Sequence, residues 1–222
     1  KDLRRQRERI ALIMQNANHQ LFCPSVEDEI AFGLSFDYGS NHNHNELPLA
    51  AMHCERLGIP HVVIPLGFMH QYFKSSLLES GESIPDGSYD EENMKSTVVP
   101  FRNGVMLAVA AGIAESNGLT KILIANHGGD HTIYPDCRPE FIAAMDAAVN
   151  AGTFANVHVV APYTNWSKAD IAKRGEVLGL DYTETWSCYK GGEVHCGTCG
   201  TCVERKEALR EAGIADNTKY ER

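Results

Sequence analysis

The residues most able to do defined chemistry lie near the C-terminus: Cys188, Cys196, Cys199 and Cys202. In Cys196-Gly-Thr-Cys199-Gly-Thr-Cys202 a thiol recurs at every third position and glycines permit a tight turn, while Cys188 precedes the run by eight residues. Four thiolates gathered in this way suit one tetrahedral ion, and zinc is the expected occupant. An iron-sulfur cluster, which also takes four cysteines but at other familiar spacings, is the main rival. With four protein ligands there is no open position, so the ion should staple the chain and take no part in a reaction. The other three cysteines, Cys23, Cys54 and Cys137, read as small hydrophobes. His195, beside Cys196, reads as a bystander. An odd number of cysteines with metal spacing and no export signal suggests a reducing compartment, hence a cytoplasmic protein.

Three polar clusters form the second set: Ser35 to Glu46, Val99 to Asn103, and Asn126 to Arg138. Any one of them could be an ordinary capping loop. Each stands next to a predicted strand or helix, however, and in an open parallel sheet ligands bind beyond the carboxyl ends of the strands. Strands are predicted at Arg9–Met14, Ile30–Asp37, His61–Pro65, Lys121–Asn126 and Asn156–Ala161, alternating with helical stripes. Leu47, Ala50, Ala51, Cys54 and Leu57 make one stripe, Met106, Val109, Ala110 and Ile113 a second, and Phe141 to Val149 a third. A fourth helix should start from a capping box at Ser167 and Asp170 and run to about Leu178. The reading is an α/β protein with a mostly parallel sheet and helices on both faces. It forms a single domain over 1–222, with 183–222 as a metal-bound subdomain. Residues 67–99 lack periodicity and read as a lid.

A net charge of -9 over 222 residues argues against a large nucleic-acid surface and favours a small-molecule ligand. No apolar run was expected to reach the ~20 residues that a membrane span needs. Nothing in the letters demands or excludes a homodimer.

The stretches SFDYGSNHNHNE, STVVPFRN, HTIYPDCRPEF, SKADIA and SCYKGGEVHCGTCGTC occur in this order and spacing. In these the chain resembles the 7-cyano-7-deazaguanine synthases of queuosine-precursor biosynthesis, within the adenine-nucleotide alpha-hydrolase group. The resemblance implies a five-stranded parallel sheet and a zinc-bound C-terminal segment. It also implies an ATP- and Mg2+-dependent carbon-nitrogen ligase that converts 7-carboxy-7-deazaguanine and ammonia into the nitrile preQ0. Carried over to this chain, it puts Ser35, Asp37, Tyr38, Arg102 and Asn103 near the nucleotide. It puts His42, Glu46, Asp130, Tyr134, Asp136 and Arg138 near the substrate, and Arg102, Asp136 and Lys168 in catalytic positions.

The same family opens with a Ser-Gly-Gly-x-Asp-Ser phosphate loop, whereas here Gln15 to Cys23 follows the first strand and no glycine precedes Gly33. Either the loop has diverged and the chain is a catalytically reduced relative that binds nucleotide or deazaguanine, or a chain opening with Lys1 is not the whole natural one and its phosphate loop is missing or misplaced. A zinc module for RNA is a third reading, which the acidic charge opposes.

Overall fold

The computed structural model describes residues 10–14, 30–87, 94–127 and 133–221, the first of these by backbone alone. Five strands, β1 (Ile10–Met14), β2 (Ile30–Asp37), β3 (His61–Pro65), β4 (Lys121–Ile124) and β5 (His158–Val160), form one sheet in the order β3-β2-β1-β4-β5. All four pairings are parallel. Central parallel strands are covered on both faces, which explains their near-continuous Val, Ile and Leu content, while Val62 and Val63 of the edge strand β3 stay exposed. β4 and β5 are shorter than their apolar runs: Asn126 leaves the ladder and donates from Nδ2 to the Cys137 carbonyl at 2.8 Å.

The chain steps from β2 to β3 in one direction along the sheet and from β4 to β5 in the other. Right-handed crossovers therefore put α1 (Asn43–Arg56) and α4 (Pro139–Gly152) on opposite faces. The packing agrees. Ala50 and Cys54 of α1 form their own cluster with Ile59, whereas Ile142 and Val149 of α4 join the main core with Leu34, Ile122, Ile124 and Val159. α3 (Arg102–Ser116) packs against β1 and β4 and adds Met106, Leu107, Ala110 and Ala114 to that core. Within residues 95–116 an 18-residue window reaches a mean hydropathy of 1.4, enough by length and composition alone for a membrane span. Half of that window is buried in the protein, as expected of a core helix, which accounts for its apolarity.

The described parts of the segment expected as a lid, residues 67–87 and 94–99, are structured and packed. They contain α2 (Phe68–Tyr72) and a 3-10 turn at Lys95–Thr97, and Leu77, Leu78 and Met94 are each only 1% exposed. Ser76 N donates to the Ser96 carbonyl at 2.8 Å, and Ser40 pairs with Leu78 across a β-bridge. Scattered single apolar residues among Ser, Gly and Glu carry no period, yet each finds a place in the core. α5 (Lys168–Val177) begins with the expected reciprocal cap between Ser167 and Asp170 and packs on α6 (Gly200–Ala212).

Candidate active site

The strand order reverses at β1, between β2 and β4, and this is where a parallel sheet opens a crevice. α3 runs back along β1 and β4, so its first turn stands at that edge. Phe101 enters the helix in the left-handed region, with φ 53°, and its ring lies edge-on to Phe141 at 5.7 Å. A Cβ at position 104 would meet the Phe101 ring at 2.2 Å, so Gly104 is what lets this corner close. Behind it, Asn103 N donates to Asp136 Oδ2 at 2.8 Å, and Asn103 Nδ2 donates to the Asp136 carbonyl at 2.9 Å and reaches Cys137 Sγ at 3.3 Å. The 3-10 turn Pro135–Cys137 is thereby tied to the start of α3, and an anion faces that helix terminus.

Arg102 projects from this corner. Its Nη1 donates to Tyr38 OH at 3.1 Å, and its guanidinium lies 5.7 Å from the Tyr38 ring centre. Among the described residues no carboxylate comes within ion-pair distance of it. Around Arg102 gather His42, Glu46 and Tyr189. His42 Nε2 is 3.5 Å from Glu46 Oε2, and the His42 ring stacks on Tyr189 at 5.4 Å. Tyr189 OH is 3.4 Å from Tyr134 OH, which is 2.9 Å from Thr97 Oγ1. Burial, then the Arg102 charge, pulls His42 down to about 3. Burial pushes the Glu46 carboxyl up to about 8 against the pull of Arg102. Near neutral pH the arrangement is thus one permanent cation among hydroxyls, a neutral imidazole and a protonated carboxyl.

The structure thus brings together Tyr38, His42, Glu46, Arg102, Asn103, Tyr134 and Asp136 from the sequence-derived set. Others stand apart. Ser35 is buried within β2 with its hydroxyl 2.8 Å from His61 Nε2 on β3. Asp37 holds the turn into α1, accepting from Asn43 Nδ2 at 2.6 Å and Gly39 N at 3.2 Å. Arg138 is the N-cap residue of α4. Lys168 pairs with Glu204 of α6, in a crevice it shares with Ile171, Tyr182 and Arg205. Asp130 lies outside the described residues, as do Gln15 to Cys23. Tyr189 and Thr97 escaped the sequence reading. The signal for Tyr189 was its place directly after a metal-type cysteine.

The sulfurs of Cys188, Cys196, Cys199 and Cys202 all lie within 4.8 Å of one another, and all four residues are buried. Ideal tetrahedral bonds of ~2.3 Å separate ligand sulfurs by about 3.8 Å, and Cys196 and Cys202 Sγ are 3.9 Å apart. Backbone amides of Thr198 and Cys199 donate to Cys196 Sγ at 3.4 and 3.3 Å. Hydrogen bonding from Cys188 and Cys202 holds Cys199 far below the usual thiol range, while bonding to Cys199 pushes Cys188 up to about 12. A cation in the centre would replace the shared protons, so the donor set fits a metal. His195 is occupied elsewhere: its Nε2 accepts from Ser187 N at 3.1 Å.

This cysteine knuckle also grips the 67–87 segment. Asp86 forms a β-bridge with Cys199, Gly87 N donates to the Thr198 carbonyl at 2.9 Å, and Asp86 Oδ1 accepts from Thr198 Oγ1 at 2.6 Å and from Lys190. Removing the metal with a chelator should therefore speed amide exchange at 84–87 as well as at 188–202, by about tenfold or more if the knuckle opens locally. Hydrogen exchange measured with and without metal checks this, and unchanged rates at 84–87 would disprove the coupling.

The model of the family described as queuosine biosynthesis protein QueC matches residues 23–213. The chain belongs to the QueC family. Its relatives named 7-cyano-7-deazaguanine synthase include one from Porphyromonas gingivalis (strain ATCC 33277), 62% identical over 97% of this chain and 99% of the relative. The Desulfotalea psychrophila protein is 56% identical over 87% and 89% of the two chains, and that of Rhizobium etli (strain CIAT 652) 48% over 89% and 84%. The QueC fold also resembles the U34-tRNA thiolase NcsA from Methanococcus maripaludis, solved with its 4Fe-4S cluster. That match has a TM-score of 0.50 and 10% identity, and covers 94% of this chain and 73% of the thiolase. At that identity the likeness concerns the fold alone.

Proposed function

We propose that this QueC-family protein converts 7-carboxy-7-deazaguanine and ammonia into 7-cyano-7-deazaguanine in the cytoplasm, using ATP with Mg2+ as cosubstrate. The family match over residues 23–213 supports the product. The observation that carries the site assignment is Arg102, a half-buried guanidinium hydrogen-bonded to Tyr38 with no carboxylate partner among the described residues. Such a group is suited to an anionic ligand.

A carboxylate is a poor electrophile. In the proposed reaction its oxygen attacks the α-phosphorus of ATP, pyrophosphate departs, and ammonia displaces AMP to give the amide. The amide oxygen then attacks the α-phosphorus of a second ATP with departure of pyrophosphate, and expulsion of AMP with loss of the two amide protons leaves the nitrile. Arg102 faces the negative charge gathered on the carboxylate and phosphate oxygens during each activation. Asn103 and Asp136 hold Arg102 at the helix start. Tyr134, linked to Thr97 and Tyr189, offers hydroxyls to the substrate. Zinc is the proposed ion for Cys188, Cys196, Cys199 and Cys202, where it supplies cohesion and no reacting position.

The test is product formation from ATP, Mg2+, ammonium and 7-carboxy-7-deazaguanine, followed by mass. Arg102→Ala should lower the activation rate by roughly 10- to 100-fold, the value of one charge-assisted contact made mainly in the transition state. Deazaguanine binding without product would favour the second reading, a non-catalytic relative, which the glycine-free Gln15 to Gln20 segment supports.

A further inference from the structure

Glu46 makes a carboxyl group available without giving it a cation. It sits in the first turn of α1, its side chain is 12% exposed, and among the described residues its nearest polar contact is His42 Nε2 at 3.5 Å. One further atom on the ring it touches is buried and without a hydrogen-bond partner among the described residues: His42 Nδ1, on a residue 2% exposed. Buried polar atoms are normally satisfied, so a buried carboxyl without a cation partner beside an unpaired ring nitrogen marks where ligand atoms belong.

The chemistry of that ligand can be narrowed by charge. A divalent cation is opposed by the Arg102 guanidinium, whose field reaches both His42 and Glu46. A phosphate is opposed by the Glu46 carboxyl itself. What a carboxylate in this setting can accept at low cost is a pair of neutral, parallel N–H donors on a planar ring, beside the aromatic surfaces of Tyr189 and His42.

We propose that Glu46 is the specificity residue of the site, its two carboxylate oxygens receiving the ring N–H and the exocyclic 2-amino group of the deazaguanine. This rests on the function proposed above and adds which edge of the base is read. Two consequences follow. Loss of the 2-amino group leaves one oxygen without its donor in a site that has excluded water, and discrimination of this kind is large. Because burial holds the empty-site carboxyl up to about 8, the ligand must take Glu46 in its ionised form and the proton passes to solvent. Binding should therefore strengthen as pH rises toward that value and level off above it.

The experiment is calorimetric titration of the intact, metal-loaded protein with 7-carboxy-7-deazaguanine and with the analogue lacking the 2-amino group, in two buffers of different ionisation enthalpy, for the natural chain and for Glu46→Gln. The natural chain should bind the parent compound roughly 10- to 100-fold more tightly than the analogue. It should also release about one proton per ligand near neutral pH. In Glu46→Gln both the preference and the proton release should largely vanish. If the natural chain binds both compounds equally, or Glu46→Gln keeps the preference, the assignment of Glu46 is overturned while the proposed reaction stands. If the natural chain binds neither compound and makes no product, the proposed function fails and takes this inference with it. Should Glu46→Gln not fold, the ligand pair and the proton count on the natural chain still decide.

Discussion

Cys199→Ser should abolish stoichiometric metal binding and unfold the segment from Cys188 to the start of α6. A structural zinc site in a small domain binds with an apparent energy of roughly 10–16 kcal/mol, and that energy is folding energy. Here the surrounding chain has other support: α6 packs on α5, and Arg205 Nη1 donates to Ser187 Oγ at 3.1 Å. The expected loss is thus a fraction of that range, on the order of 3–5 kcal/mol, which for a chain of this size lowers the melting temperature by roughly 6–20 °C. The consequence reaches the active site, because Tyr189 follows Cys188 directly and stacks on His42. Metal analysis and thermal unfolding check the expectation. Full zinc occupancy and an unchanged transition in Cys199→Ser would overturn the four-cysteine assignment. Iron in place of zinc would leave the ligand set standing and correct the ion.

Asp136→Ala should be the most damaging single change at the strand-end site. Asp136 is 8% exposed, and its carboxylate accepts from Asn103 N in the first turn of α3. Truncation leaves a buried amide without an acceptor at a helix N-terminus and also removes a favourable charge there. Together these cost on the order of 2–3 kcal/mol. Asp136→Asn retains an acceptor and loses only the charge, so about 1 kcal/mol is expected. Activity should follow stability in both variants, because Asp136 works by holding Asn103, and through it Arg102. Paired melting curves and kcat/KM values separate the roles. An Asp136→Ala protein with unchanged melting but lost activity would show that the carboxylate acts directly on substrate.

Local chemistry was legible in the letters. The three-residue spacing of Cys196, Cys199 and Cys202 depends on one tight turn, and the Ser167–Asp170 cap on one helix start, so neighbours in sequence suffice to specify both. The parallel sheet followed from apolar runs alternating with helical stripes, a pattern set by short-range periodicity. The packing of 67–87 and 94–99 was not legible because the buried residues there, Leu77, Leu78 and Met94, follow no period and their burial depends on distant partners such as Ser40 and Ser96.

What only the tertiary structure decided is which of many eligible polar residues meet. By type and motif Lys168 had as good a claim to the site as Arg102, yet packing of α5 on α6 gives it to Glu204, while Phe101 and Gly104 turn Arg102 toward Tyr38. Tyr189 reaches His42 across 147 positions of chain because the cysteine knuckle folds back over α1. The sequence alone established the family's motifs, the metal-type knuckle and the strand-helix alternation, all readable from residues close together in the chain. The raised carboxyl of Glu46 and the lack of a carboxylate partner for Arg102 among the described residues come from the tertiary structure, since desolvation and charge depend on distances that no local pattern encodes.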